Sequence, residues 1–448
     1  MTDPRTIDAL VAEIGSTTTV LSAFEGLAEG SVRPLRLVGQ GFAPTSVAAG
    51  DVGIGVEAAR ASLEKLIGPI EPSVTLATSS AAGGLRMTVH GLTQKMTAMA
   101  AREAALGAGG VIEYQTAGKL TDHDLDTIDR AKPGLIMLAG GVEGGDSDVV
   151  LHNARRLKDL QSRPIVIYAG NSAVADEARA TLEAANFRVR VTSNVYPSVD
   201  ELDIVPARHV IHDAFEEHIT HAPGMERIVE FVSGPILPTP GAVLLAAELL
   251  ADALGDLVVI DVGGATTDVH SVTDGSPEIA AITTDPQPHA KRTVEGDLGT
   301  YVSARHVLEL MTPVGQVHLL PPAIPGTPDE IEAARAITLI AARTGVERHA
   351  GRLTHLYTPK GRQTVARGRD LTACRLVIGT GGALTRLPDG AEMLESVRAS
   401  AADGDRLLPP SDARVLLDSN YVFAACGALA QRFPAEAVVA LMRASIGV

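Results

Sequence analysis

The stretch Leu257–Val272, LVVIDVGGATTDVHSV, decides how the rest of the chain is read. Leu257 to Ile260 form an apolar run rich in β-branched residues, as a buried strand requires. Asp261 closes that run, Gly263 and Gly264 supply a tight turn, and Thr266, Thr267, Val269 and Ser271 resume an extended pattern. The prediction is strand, glycine hairpin, strand. A carboxylate at the mouth of such a hairpin, followed by glycines that expose backbone N–H groups and by hydroxyls, suits a metal-bound polyphosphate. The glycines let the backbone come close, and the Asp reaches the cation through water. On this segment alone, an ordinary β-hairpin with an Asp-Gly-like turn reads equally well.

The same pattern occurs near the N-terminus. In LVAEIGSTTTVLSAF, residues 10–24, aligning Glu13 on Asp261 puts Gly15 on Gly263, Ser16 on Gly264, Thr18 on Thr266 and Thr19 on Thr267. Two carboxylate-x-Gly-small-x-Thr-Thr hairpins, each after an apolar strand, look like an internal duplication. A third element, RLVIGTGGALTRL, sets Gly379, Thr380, Gly381 and Gly382 directly after the strand Leu376 to Ile378.

Two facing phosphate hairpins followed by a late strand-GTGG loop resemble the actin-like superfamily of ATPases, which includes heat-shock chaperones and sugar kinases and holds ATP in a cleft between duplicated domains. Six further segments narrow the resemblance. In order, they are SSAAGGLRMTVHGLT from Ser79, IMLAGGVEGGD from Ile136, IVIYAGN from Ile165, SNVYP from Ser193, RTVEGDLG from Arg292 and IGTGGALTRLPDG from Ile378. Together they resemble the MutL/GlmL family, accessory proteins of adenosylcobalamin-dependent glutamate mutase and related aminomutases. The likeness runs along essentially the whole chain.

A chain of 448 residues is too long for one ordinary core and predicts two or three domains. Aromatics make up 3% of the residues and there is no Trp, so the core must be built from Ala, Val, Leu and Ile, and the usual stacking platforms for single-stranded nucleic acid are missing. A formal net charge of −16, with no Lys/Arg run, opposes binding to nucleic acid or anionic lipid. The N-terminus MTDPRTIDALVAEIGS lacks a basic segment followed by a long apolar one, and no apolar stretch approaches a membrane span, which predicts a cytoplasmic protein. Cys374 and Cys426 sit in no CxxC and read as buried free thiols.

The expected fold is α/β: duplicated actin-like (ribonuclease H-like) ATPase domains with an inserted Rossmann-like α/β domain. Residues 1–91 form the first half, with strands ending at Glu13, at about 18–24 and at about 32–38, then a helix from near Asp51 to Ile67 and a strand at 74–77. The loop Ser79 to Arg86 reads equally well as a tight strand-to-helix turn or as an element of the cleft or of a partner surface. Residues 92–221 alternate helices (92–105, 121–131, 146–160, 173–185) with strands (135–138, 165–168, 189–191), as a parallel sheet requires. Thr121 reads as a helix cap, and His212, His218 and His221 as a solvated face. Residues 222–448 carry the second phosphate hairpin and the adenosine loop, a helix capped at Thr239 and stopped at Gly255, a capping box at Thr327 and Glu330, and a small-residue helix around Ala424 to Ala428.

The resemblance implies roles for these positions. ATP and magnesium are the expected cofactors. Gly15, Ser16, Thr17 and Thr18, with Gly263, Gly264, Ala265 and Thr266, offer donors to the phosphates. Glu13 and Asp261 hold hydrated magnesium, with Glu13 longer by one methylene than the usual Asp. Gly379, Thr380, Gly381 and Gly382 approach the adenosine and α-phosphate, and Glu295 or Asp297 joins Asp261 in catalysis by positioning water. The implied activity is a weak magnesium-dependent ATPase that acts as a reactivating chaperone for subunits of a cobalamin-dependent mutase. Two alternatives stay open: a small-molecule kinase, and a nucleotide-locked scaffold without useful hydrolysis. A homodimer is also open.

Overall fold

The computed structural model describes residues 4–28, 33–81, 85–310, 319–358 and 361–448. β1 (Arg5–Ile14) and β2 (Thr18–Glu25) form the first hairpin, with Glu13 opposite Val20. β3 (Arg36–Pro44) extends the antiparallel meander, α1 (Val52–Ile67) crosses back, and β4 (Ile70–Ser79) pairs parallel with β1. The crossover is decided by the apolar stripe Val52, Val56, Ala59 and Leu63 and by the Asp51 cap, whose carboxylate accepts from the Gly53 amide. Gly41 of β3 lets α1 lie on the sheet, since a Cβ there would meet the Ala59 carbonyl oxygen at 2.1 Å.

The chain then leaves this sheet to build another. β5 (Leu85–Gly91), α2 (Thr97–Gly107), β6 (Gly110–Ala117), α3 (Asp122–Ala131), β7 (Leu135–Leu138), α4 (Asp148–Leu157), β8 (Ile165–Tyr168), α5 (Ala175–Glu183), β9 (Val189–Val191) and α6 (Val205–Ile219) follow one another. All five strands are parallel, in the order β6-β5-β7-β8-β9. That is the 2-1-3-4-5 order of one common doubly wound sheet. β7 and β8 are buried along their whole length, as their continuous apolar runs demand. β10 (Ile236–Pro238) then returns the chain to the first sheet, parallel to β4.

α7 (Thr239–Leu254) leads into a sheet that repeats the first. β11 (Leu257–Val262) and β12 (Thr267–Val272) form the second hairpin, with Asp261 opposite Asp268. After the short α8 (Pro277–Ala280), β13 (Ala290–Glu295) completes the meander. α9 (Ala304–Leu310), α10 (Pro328–His349) and the hairpin β14 (Arg352–Thr358)/β15 (Gly361–Arg367) intervene before β16 (Leu376–Thr380) pairs parallel with β11. α11 (Gly382–Arg386) and α12 (Gly390–Glu395) precede β17 (Arg414–Leu417), and α13 (Phe423–Leu429) and α14 (Ala435–Ile446) end the fold. The two sheets run β10-β4-β1-β2-β3 and β17-β16-β11-β12-β13, with matching strand directions. The duplication expected from the hairpins therefore extends to the sheets. Gly427 of α13 lies against α7, where a Cβ would meet the Ala242 carbonyl oxygen at 2.0 Å, so the small-residue helix makes the close contact its composition permits.

The sequence pattern missed β13, β14, β15 and β17 of the second half, and three strands in or beside the parallel-sheet unit: β5, β6 and β10. β5 lies within what reads as a loop and linker, although Leu85, Met87 and Val89 alternate with Arg86, Thr88 and His90, of which Thr88 and His90 are buried as well. Those two satisfy each other at 3.0 Å, and Thr116 of β6 closes the group at 2.8 Å from His90 Nδ1. β6 is half exposed along most of its length, and β10 has only three residues. Consequently β5 belongs to the parallel sheet and β10 to the first one, whereas cuts at 91/92 and 221/222 separate each from its partners. Of the loop 79–86, residues 82–84 lie outside the described residues, and so does Val32 of the expected third strand. The cap at Thr121 forms as read and is completed by Asp124 into a capping box, the capping box at Thr327/Glu330 forms too, but His212 is buried in α6 instead of solvated. Both cysteines are buried and free, and burial pushes the Cys374 thiol up to about 12. No described helix is long and apolar enough to cross a membrane.

Candidate functional site

Both hairpin turns close with the same bond: Gly15 N–H donates to the Thr18 carbonyl at 3.0 Å, and Gly263 N–H to the Thr266 carbonyl at 2.9 Å. Flanking loops hold the turn carbonyls from behind. Thr45 donates to Thr17 and Gly15, while Thr300, Tyr301, Val302 and Ser303 donate to Gly263, Gly264 and Ala265. A turn whose carbonyls are engaged in this way presents donors to the opposite side. The turns face one another: a Cβ on Gly264 would lie 3.9 Å from Thr17 Oγ1.

Between them is a cleft of about 430 Å³. Its lining includes Glu13, Gly15, Ser16, Thr17 and Thr18 from the first hairpin, and Asp261, Gly263, Gly264, Ala265 and Thr266 from the second. Gly382 of the third motif lines it too, but Gly379, Thr380 and Gly381 stand behind the wall. Thr380 Oγ1 donates to the buried Asp418 carboxylate at 2.9 Å. Gly381, at φ 86°, supports the site from the rear, because a Cβ there would meet Asp261 Oδ1 at 2.4 Å.

Glu295 and Asp297 are not brought into the cleft. Arg348 of α10 holds both, at 2.8 Å to Glu295 and at 2.7 and 2.9 Å to the two oxygens of Asp297. This arrangement keeps Asp297 below the usual carboxylate range, while burial raises Glu295. Asp268, Tyr421 and Arg386 are among the cleft residues that went unread in the sequence. Asp268 lines the wall at the position where the first copy has Val20, so the departure between the copies was its signal. Tyr421 donates its hydroxyl proton to Glu13 Oε1 at 2.6 Å from a left-handed backbone, φ 51°, which nothing in its sequence context announces. Arg386, the one basic side chain among the described lining residues, lies with its guanidinium carbon 4.0 Å from the Phe42 ring centroid and 5.8 Å from that of Tyr421.

The cleft is acidic. Burial pushes Glu13 up to about 7 against the lowering effect of the Tyr421 hydrogen bond. Burial, followed by the charges of Asp268, Glu13 and Asp418, holds Asp261 well above the carboxylate range. Carboxylates that repel one another in a buried site, opposite two donor-lined turns, can share a divalent cation and an anion that it accompanies. Among the described residues, no three acidic, His or Cys side chains stand close enough to hold a metal by themselves.

In overall shape the chain is similar to a nucleotide-free acetone carboxylase described for ATP-dependent acetone carboxylation, at TM-score 0.36 and 12% identity, over 95% of this chain and 70% of the other. It is also similar to a nucleotide-free diol dehydratase-reactivating factor, at TM-score 0.35 and 11% identity, over 94% of this chain and 99% of that one. At the level of sequence, Protein MutL of Clostridium tetanomorphum is 35% identical over 456 residues, spanning 96% of this chain and 97% of the relative. The family model described as MutL protein matches residues 9–446, and the chain therefore belongs to the MutL protein family.

Proposed function

We propose that this MutL-family protein is an actin-like ATPase that binds magnesium-ATP in the cleft and uses the resulting movement as a reactivating chaperone for a cobalamin-dependent aminomutase of the glutamate mutase type. The observation that carries the reading is the pair of facing glycine hairpins, each rooted in a carboxylate, on two sheets of the same strand order. Asp261, aided by Glu13, is the group to hold hydrated magnesium. Magnesium commonly keeps several waters and takes only one or two protein carboxylates beside the phosphates, a number that Asp261 and Glu13 can supply. When bound, the ion neutralises charge on the phosphates.

The chain's own residues would do the remaining work. Gly15 to Thr18 and Gly263 to Thr266 bind the phosphates by N–H and O–H donation, and Arg386 supplies the cationic side chain of the wall. Asp268 is better placed than Glu295 or Asp297 to orient a water, since it lines the cleft and the other two do not. Hydrolysis is then mostly placement and charge stabilisation, and it should be slow. The parallel-sheet unit from β5 to α6 is assigned to the client mutase, because the cleft draws none of its lining from it. Calorimetry with magnesium-ATP tests the nucleotide reading. Micromolar or tighter binding by the wild-type protein is expected, and no heat of binding would end it.

A further inference from the structure

The parallel-sheet unit is inserted in the first sheet but fastened to the second. Arg208 of α6 makes two hydrogen bonds to Glu248 of α7, at 2.8 and 2.6 Å. Lys291 of β13 lies 3.3 Å from Glu103 of α2. Between these two clamps stands Arg292, whose side chain is 1% exposed. Its Nε donates to Asp268 Oδ1 at 2.8 Å, and its Nη2 lies 2.6 Å from the same oxygen. Its Nη1 donates to two backbone carbonyls of the inserted unit, Leu106 at the end of α2 and Gly110 at the start of β6, both at 2.9 Å.

One guanidinium therefore joins a cleft carboxylate to the α2–β6 turn. The turn has little freedom of its own. Gly109 sits at φ 91°, and a Cβ there would meet Pro238 at 2.6 Å and the Gly241 amide nitrogen at 2.9 Å. A Cβ on Gly110 would meet the Met87 sulfur at 2.7 Å. The other oxygen of Asp268 accepts from Thr266 Oγ1 at 3.1 Å, so the same carboxylate touches the phosphate hairpin. A buried guanidinium depends on its counter-charge, and its planar fork fixes the direction of each donor. If a ligand draws on Asp268, the donors of Arg292 redistribute between that carboxylate and the two carbonyls.

We propose that Arg292 is a positioning residue: it orients Asp268 in the cleft and makes the seating of the α2–β6 turn depend on what the cleft holds. The proposal rests on the magnesium-nucleotide reading of the cleft. It requires no contact between nucleotide and the inserted unit.

The test combines calorimetry with amide hydrogen exchange at residues 105–111, on the full chain with and without magnesium-ATP. In the wild type, binding is expected to change exchange at the turn by at least about threefold. Arg292→Lys keeps a cation on Asp268 but lacks the fork to span both carbonyls; it should bind within about threefold of wild type and lose the exchange response. Glu248→Gln loosens the neighbouring clamp without touching the cleft, so the turn should exchange faster overall and still respond. A merely structural Arg292 would move binding and response together. Asp268→Asn, which alters the link from the cleft side, should also lose the response and serves if Arg292→Lys does not fold. Binding without any exchange response in the wild type, or a full response in Asp268→Asn, overturns the inference alone. No binding by the wild type overturns the nucleotide reading and the inference with it.

Discussion

In the first hairpin Glu13 stands opposite Val20; in the second Asp261 stands opposite Asp268. The backbones close in the same way, but the side chains divide the work. Glu13 uses its extra methylene to reach across to the other half, where the Tyr421 hydroxyl meets it. Gln40 of β3 reinforces that crossing with donations to the Asn420 and Tyr421 carbonyls at 3.0 and 3.2 Å. Asp261 is pressed instead by Asp268, Glu13 and Asp418 and supported behind by Gly381. The first carboxylate is thus partly a latch between halves, and the second is the site of concentrated negative charge. Duplication preserved the donors while the acids diverged.

The largest effect should follow removal of the second carboxylate. Asp261→Ala is expected to weaken magnesium-ATP by at least about 100-fold in calorimetry, because a cation site loses its principal ligand. Equal binding by variant and wild type would erase the distinction between hairpins. Asp268→Asn should lower kcat by about tenfold or more with a smaller change in affinity, the signature of a group acting in the transition state. A reversed split, with affinity lost and kcat kept, would make Asp268 a ground-state ligand.

The same asymmetry predicts where acid unfolds the molecule. His270 and His349 are fully buried beside the second sheet, and burial, joined by Arg292 for His270 and by Lys291 and Arg369 for His349, holds both well below 6.5. Their folded values are depressed, so the unfolded chain takes up protons first. The stability they contribute is complete above 6.5 and is lost as pH falls below it. Residues 1–79 contain no histidine. Below 6.5 each buried histidine costs stability that grows as the pH falls, so hydrogen exchange should rise in β11–β13 before it rises in β1–β3. Uniform loss of protection across both sheets would count against this.

The duplicated frame was legible because it rests on glycines and alternation, which are local. Strands 135–138, 165–168 and 189–191 were readable to the residue for the same reason. What escaped was non-local. β5 hid behind a Thr88–His90–Thr116 group that makes sense only once β6 lies beside it, and β10 is three residues that become a strand through β4. In the site, Glu295 and Asp297 looked free until Arg348, some fifty residues away, claimed them. Asp268 was visible in principle, since overlaying the two copies shows an acid where the other has Val20.

A smaller effect is expected at the latch. Tyr421→Phe removes one hydroxyl and leaves the ring beside Arg386, so the loss is one hydrogen bond to Glu13, worth about 1 kcal/mol. Magnesium-ATP affinity should shift by about fivefold or less. The clearer readout is motion, because solution scattering should report more open halves in the variant without nucleotide. Unchanged scattering would reduce the crossing to a local contact.

The smallest effect separates the cleft from its surroundings. Glu295 at the end of β13 and Asp297 just beyond it sit two strands away from Asp261, and a single arginine holds both. Glu295→Gln keeps the shape and one acceptor, and Arg348 retains Asp297 at 2.7 and 2.9 Å, so no buried charge is stranded. A half-exposed pair of this kind contributes little to stability after solvent screening. Steady-state hydrolysis by Glu295→Gln and by Asp297→Asn should therefore stay within about threefold of wild type while Asp268→Asn falls much further. If Glu295→Gln instead matched the loss in Asp268→Asn, the Arg348 ion pairs would have to open when nucleotide binds, and the water-orienting carboxylate would be one that the free protein keeps outside its cleft.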